Sequence, residues 1–370
     1  MKIILLILGW LFGLLFGLLA LSMALTRNYL QVIPLLLLVL LVLPPAVALT
    51  TDLTGFTLPW WGRALGIVAM LAVFLTLSSA NQPDSIYTSP DAEPQFMAIY
   101  DARLAEWPTP YESVYLDTSY GQVHVIVSGP EDAPPLLLMH AAAVSSWSWM
   151  YNVEALNQHY RTYAIDTIGE VGKSRLDSLE DIPADGRAWS DLVAEIADML
   201  GVEKAYVAGA SYGGYIATNY ALDYPERVEK LALLGPMGMT PSTGKTAARI
   251  TMASMFPLGP VQTNTLHWAL GDDPFVLQQY GEWFRLVMTG SFPKESAPKS
   301  FTPEQLEGME VPVLLVLGTK DNLTGSPETV RPLAEHVPGI RIEVLDTAHL
   351  IGVEDAETVN GLLINFFGES

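Results

Sequence analysis

The stretch Ala205-Tyr206-Val207-Ala208-Gly209-Ala210-Ser211-Tyr212-Gly213-Gly214 decides how this chain is read. The run at 205–208 is short, apolar and strand-like, and residues 214–224 have helical character up to the stop at Pro225. Between them, Gly209-x-Ser211-x-Gly213 puts a serine on a tight strand-to-helix turn. Such a turn strains the serine backbone, and side chains two residues to either side would collide, so glycine is expected at both places. The strain lifts the hydroxyl out of the sheet.

A serine hydroxyl is a poor nucleophile without a base to take its proton. Downstream, Gly318-Thr319-Lys320-Asp321 puts an acid just past an apolar strand at 313–317, and Asp346-Thr347-Ala348-His349 puts a histidine past the next strand at 341–345. In a triad of Ser211, Asp321 and His349, the imidazole would accept the serine proton and return it to the leaving group. The acid would hold the histidine tautomer. The developing oxyanion needs fixed N–H donors. One is expected from Tyr212, directly after the serine, and the other from Ala142 in Met139-His140-Ala141-Ala142-Ala143, the loop after an early strand. His140 is expected to serve as a structural hydrogen-bonding residue.

Working outward, residues 112–117 and 122–128 read as a hairpin across Ser119-Tyr120-Gly121. Apolar strands at 135–139, 160–165, 205–208, 230–234, 313–317 and 341–345 alternate with helices at 189–200, 214–224, 327–336 and 356–367. The alternation predicts an α/β fold with a mostly parallel sheet covered on both faces. It lapses at residues 236–310, which read as a helical cap inserted into a core of 111–235 and 311–370. Residues 81–110 read as a linker and a short helix at 96–107. Met252, Met255, Phe256, Trp268, Trp283 and Phe284 in the cap are candidates for an acyl pocket, and equally for helix core.

From about residue 94 the chain resembles the α/β-hydrolase fold superfamily, and within it bacterial serine carboxylesterases with a cap. The resemblance rests on His140-Ala141-Ala142, on Asp166-Thr167-Ile168-Gly169-Glu170-Val171-Gly172-Lys173-Ser174, on the serine turn, on Gly318–Asp321 and on Ala348-His349. The order Ser211, Asp321, His349 is that of the superfamily's triad. The three alanines at 141–143 depart from the glycines usual in that loop. The resemblance implies an eight-stranded sheet and ester hydrolysis through an acyl-enzyme. Gly172-Lys173-Ser174 is not a phosphate loop, because the glycine such a loop needs earlier is Thr167. Serine in place of aspartate at the turn argues against dehalogenase or epoxide hydrolase chemistry.

Composition narrows the rest. The chain has 370 residues, a formal net charge of −21 and no cysteine. Nucleic acid is not an expected partner, because phosphate binding needs clustered Lys and Arg. Disulfides and cysteine-based zinc sites are excluded. No metal or organic cofactor is implied. His124, His159, His267 and His336 are isolated and read as structural or solvated, and the glycosylation-type triplet Asn322-Leu323-Thr324 as a chance match. Three uncharged stretches, 3–25, 30–49 and 64–80, have the length of membrane spans. They predict an all-α transmembrane region of three helices in residues 1–80 with the lipid bilayer as a partner. The few flanking basic residues put the catalytic domain on the extracytoplasmic side of the cell membrane.

The expectation is therefore a membrane-anchored serine hydrolase acting on small-molecule esters. The same residues would also serve an acyltransferase, a perhydrolase, a C–C hydrolase or a peptidase. From a different class, a non-catalytic membrane receptor could retain this fold.

Overall fold

A computed structural model describes residues 2–25, 29–44, 46–47, 59–80, 85–240, 249 and 259–369. The chain divides into two compact units, one from Met1–Asp84 and Ile250–Val261, the other from Ser85–Arg249 and Gln262–Ser370.

The first unit contains helices α1 (Lys2–Leu25), α2 (Tyr29–Val42) and α3 (Trp60–Ala80). Ala20, Leu35 and Leu38 are buried among them, with Phe16, Ile67 and Phe74 packed alongside. Among the described residues no helix is long and apolar enough to cross a membrane. The 14 residues of α2 include Pro34, and they rise only about 21 Å against about 30 Å of hydrocarbon. In α1 the described side chains cover residues 7–20, and in α3 the longest described run, 62–74, includes the charged Arg63, which donates to the Leu41 carbonyl. This overturns the predicted transmembrane region, the bilayer partner and the extracytoplasmic, multi-pass placement.

The second unit is built on one sheet. Its strands are β1 (Tyr111–Thr118), β2 (Gly121–Ser128), β3 (Pro135–Met139), β4 (Arg161–Ile165), β5 (Arg175–Leu176), β6 (Ala205–Ala210), β7 (Val228–Leu234), β8 (Val313–Gly318) and β9 (Arg341–Leu345). The spatial order is β1-β2-β4-β3-β6-β7-β8-β9, with β5 also paired to β2. The sheet is mixed, not mostly parallel, and has nine strands where eight were expected. β2 runs antiparallel to β1, β4 and β5, whereas β4-β3-β6-β7-β8-β9 are parallel neighbours. The hairpin register closes at Thr118↔Gly121. A two-residue turn between paired strands forces the antiparallel arrangement there.

The parallel strands read as continuous apolar runs because both faces are covered. Side chains two apart share a face. Leu137, Met139, Val207, Leu231, Leu233, Leu315 and Leu317 therefore point to one core, shared with α6 (Gly186–Met199) and α7 (Tyr212–Asp223). Leu136, Leu138, Ala208, Ala232, Leu234, Leu314 and Val316 point to the other. There they meet α4 (Ala92–Ala105), α5 (Met150–Leu156) and the C-terminal helix at Ala356–Gly368. The α6 helix starts where the Asp185 side chain accepts the Ala188 amide, which satisfies one of the free N–H groups of its first turn.

Within the expected cap, helices α8 (Gly259–Leu270) and α9 (Pro274–Gly290) are described. Met252, Met255 and Phe256 lie outside the described residues. Trp283 is core: it is buried, edge-on to Phe96 and Trp147 at 5.1 and 5.6 Å. Phe284 is half-buried against the same cluster, and Trp268 is half-buried beneath the Arg249 guanidinium.

Candidate active site

Ser211 sits at the end of β6 with φ 51 and ψ −113. This is a left-handed backbone for a residue with a side chain, a conformation that costs of order 1–3 kcal/mol and marks functional turns. Its amide donates to the Leu234 carbonyl at 3.0 Å, and its own carbonyl accepts the Met237 and Tyr215 amides. The flanking glycines are there for space. A Cβ on Gly209 would lie 2.5 Å from the Gly213 carbonyl oxygen, and one on Gly213 would lie 2.3 Å from the Met139 oxygen. The Gly213 amide donates to the His140 carbonyl at 3.1 Å, which brings the serine turn against the loop after β3.

Asp321 follows β8 and His349 follows β9, and parallel pairing of these two strands brings their ends together. His349 Nδ1–H donates to Asp321 Oδ2 at 2.9 Å. The Thr324 hydroxyl donates to the same oxygen, and the Leu323 and Thr324 amides donate to Oδ1. Asn322-Leu323-Thr324 is thus the loop that grips the acid. Burial pushes the Asp321 pKa up, but His349 and the Thr324 donors outweigh it and leave it below the ordinary carboxylate value. Asp321 therefore stays an anion and can fix the histidine tautomer. Ser211 Oγ is buried and has no hydrogen-bond partner.

The Tyr212 amide opens α7, where the first N–H groups have no acceptor within the helix. In the loop after β3, Ala143 has φ 59. Its amide donates to Glu170 Oε2 at 3.0 Å, and its carbonyl accepts Trp283 Nε1–H at 2.9 Å. Both backbone groups of the residue after Ala142 are thereby held. His140 is buried, and burial lowers its pKa against the pull of Asp166. Its Nε2 accepts the Thr167 amide, so Nδ1 carries the proton donated to the Ala141 carbonyl.

Two features involve residues of the 166–174 motif whose partners the sequence did not reveal. Asp166, which opens the 166–174 loop, is a buried hub. Its Oδ2 accepts Tyr100 Oη–H at 2.9 Å, His124 Nδ1–H at 3.0 Å and the Lys173 amide at 3.0 Å, while Oδ1 accepts the Ser146 amide. Burial would raise its pKa, but His124, His140 and the Ser146 amide hold it far below the ordinary carboxylate value. His124, read as isolated, is therefore part of this hub. His267 and His336, also read as isolated, pair with Asp272 and Glu307. The second feature is a neighbouring pair of carboxyls, the buried Glu170 and the half-buried Glu295. Among the described residues no group of side chains could hold a metal ion.

Comparison with known proteins agrees with this architecture. A sequence model of the α/β hydrolase fold matches residues 134–257. The chain is 32% identical to carboxylesterase YbfK of Bacillus subtilis over 74% of its length and 93% of the relative's. It is also 32% identical to the uncharacterized carboxylesterase nap of Bacillus subtilis, over 78% of this chain and 97% of the other. The crystal structure of naproxen esterase (carboxylesterase NP) from Bacillus subtilis superposes with a TM-score of 0.67 at 32% identity, covering 75% of this chain and 99% of that one. The chain belongs to the α/β-hydrolase fold family. It is an ester-hydrolysing member of it, similar to the Bacillus carboxylesterases.

Proposed function

We propose that the chain cleaves carboxylic esters through an acyl-enzyme on Ser211, with His349 as base and Asp321 as the acid that orients it. The hydroxyl attacks the ester carbonyl while His349 Nε2 takes its proton, and the imidazolium then protonates the leaving alcohol. Water activated by the same imidazole releases the acid product. The Ala142 and Tyr212 amides stabilise the oxyanion in both halves of the cycle.

The observation that carries this reading is the 2.9 Å bond from His349 to Asp321, made just past the ends of β8 and β9, together with the φ of 51 at Ser211. An unpartnered Ser211 Oγ is compatible with it, because catalytic hydrogen bonds are often loose without substrate and tighten in the complex. The test is labelling by a fluorophosphonate together with turnover of an ester panel that includes a naproxen ester. The expected result is stoichiometric labelling of Ser211 and loss of both signals in Ser211→Ala. A folded Ser211→Ala protein that still turns over esters would remove Ser211 from the mechanism.

A further inference from the structure

The segment at 291–301 is an irregular strap tied at its ends by the Phe292 amide to the Ile86 carbonyl and by the Phe301 amide to the Gly238 carbonyl, and its middle is fastened at two points. The Lys294 amide donates to the Gly169 carbonyl at 2.8 Å. Two residues on, the Ser296 carbonyl accepts the Tyr212 hydroxyl at 2.8 Å and the Ser296 hydroxyl accepts Trp189 Nε1–H at 3.0 Å. Glu295 lies between these fastenings, next to the Lys294–Gly169 bond, so its carboxyl comes close to that of Glu170 and the two influence each other's charge. Two carboxyl oxygens bond to each other only through a proton. Glu170 Oε1 and Glu295 Oε2 are buried and have no hydrogen-bond partner. Burial raises the Glu295 pKa and outweighs the opposing influence of Glu170.

Other ionisable groups around the pair are committed elsewhere. His140 on the turn is tied to Thr167 and Ala141, and Asp166 on the loop to Tyr100 and His124. Lys173 pairs with Asp101. From α7 comes the Tyr212 phenol, whose pKa is raised by burial and then by Glu295, so it stays neutral. Lys294 precedes Glu295 on the strap and has its carbonyl against Gly169.

We propose that Glu170 and Glu295 share a single proton and act together as positioning residues, clasping the strap to the turn at Ala143 so that the Ala142 amide points at the substrate oxyanion. This rests on the reading of Ala142 as an oxyanion donor given above. Glu170 Oε2 accepts the amide of Ala143, which has φ 59, and the shared proton would join its other oxygen to the strap, so that one carboxyl couples both. Burial, and then the neighbouring carboxyl, hold the Glu170 proton well above the usual carboxylate range, against the Ala143 and Val171 amides that pull it down. Raising the pH removes that proton to solvent. Two anions then face each other without a donor between them, and the clasp opens.

The test uses the full chain and p-nitrophenyl butyrate, with kcat and KM followed from neutral into alkaline pH. Glu170→Gln and Glu295→Gln each keep a donor between the two side chains and remove the shared proton. They are expected to retain neutral-pH kcat within about threefold and to abolish the alkaline decline of the parent. Glu170→Ala leaves the Ala143 amide without its acceptor. It is expected to lower kcat by about tenfold or more with KM little changed, up to the 10²–10³-fold cost of losing an oxyanion donor. A Glu170→Ala protein with parental kcat, or Gln variants with the parental alkaline limb, would overturn the inference whether or not the Ala variant folds well. Ser211→Ala serves as control: if it is silent while the clasp variants behave as parent, the clasp alone fails. If it remains active, the oxyanion reading and the clasp fall together.

Discussion

Trp283 donates its indole N–H to the Ala143 carbonyl at 2.9 Å, so helix α9 reaches the loop after β3 that packs against the serine turn. The ring is also fixed by Phe96 and Trp147. Trp283→Phe keeps most of the packing and removes the donor. It is expected to cost about 1 kcal/mol of stability and to lower kcat several-fold with little change in KM. Urea denaturation and steady-state kinetics on one ester check both numbers.

Asp321→Asn preserves the shape of the His349 partner but can present an amide N–H to Nδ1 and invert the tautomer. The expected loss in kcat is on the order of 10³–10⁴-fold with the fold intact. Equal activity in the variant, measured on the same ester, would remove Asp321 from the mechanism.

Asp166 anchors α4, β2 and the 166–174 loop at one carboxylate. Its folded pKa lies below the value of about 3.9 expected in the unfolded chain. The stability it confers is therefore present above that pH and is lost as pH falls through the folded value. Asp166→Asn should cost about 3 kcal/mol at neutral pH, as expected for breaking a buried charged network. It should also flatten the acid limb of a stability–pH curve measured by denaturant titration.

Two glycine substitutions separate space from backbone preference. Gly213→Ala puts a Cβ 2.3 Å from the Met139 carbonyl oxygen, which is backbone and cannot step aside. The serine turn must shift, and a displacement near 1 Å costs on the order of 10²-fold in rate. Gly201→Ala meets nothing within 4 Å but sits at φ +70, so it should cost about 1–2 kcal/mol and leave kcat unchanged. Thermal melts and ester kinetics on both variants provide the comparison.

The parts of this molecule that are local in the chain were readable in it. Gly209 and Gly213 announce the serine turn because the contacts that require glycine involve the turn itself and the adjoining strand end. Asp321 and His349 stand at the ends of consecutive strands, 28 residues apart, and parallel pairing of those strands makes them neighbours. Glu170 and Glu295 could not be matched, because nothing in the composition of either segment marks a partner 125 residues away. The antiparallel pairing of β2 with β4 and β5 was hidden for the same reason: strand character gives no neighbour. The three apolar runs near the N-terminus misled in another way. Apolar length is a signal that bilayers and helix–helix packing share, and Leu35 and Leu38 are buried against other helices.

The family match begins at residue 134, yet Asp166 draws on Tyr100 and His124, and β2 supplies the partner for β4. A fragment cut at that boundary would strand the carboxylate without two of its donors and leave one edge of the parallel strands bare. The smallest piece that can carry the serine, the acid and the histidine therefore has to begin upstream of α4, whatever the limits of the recognisable homology.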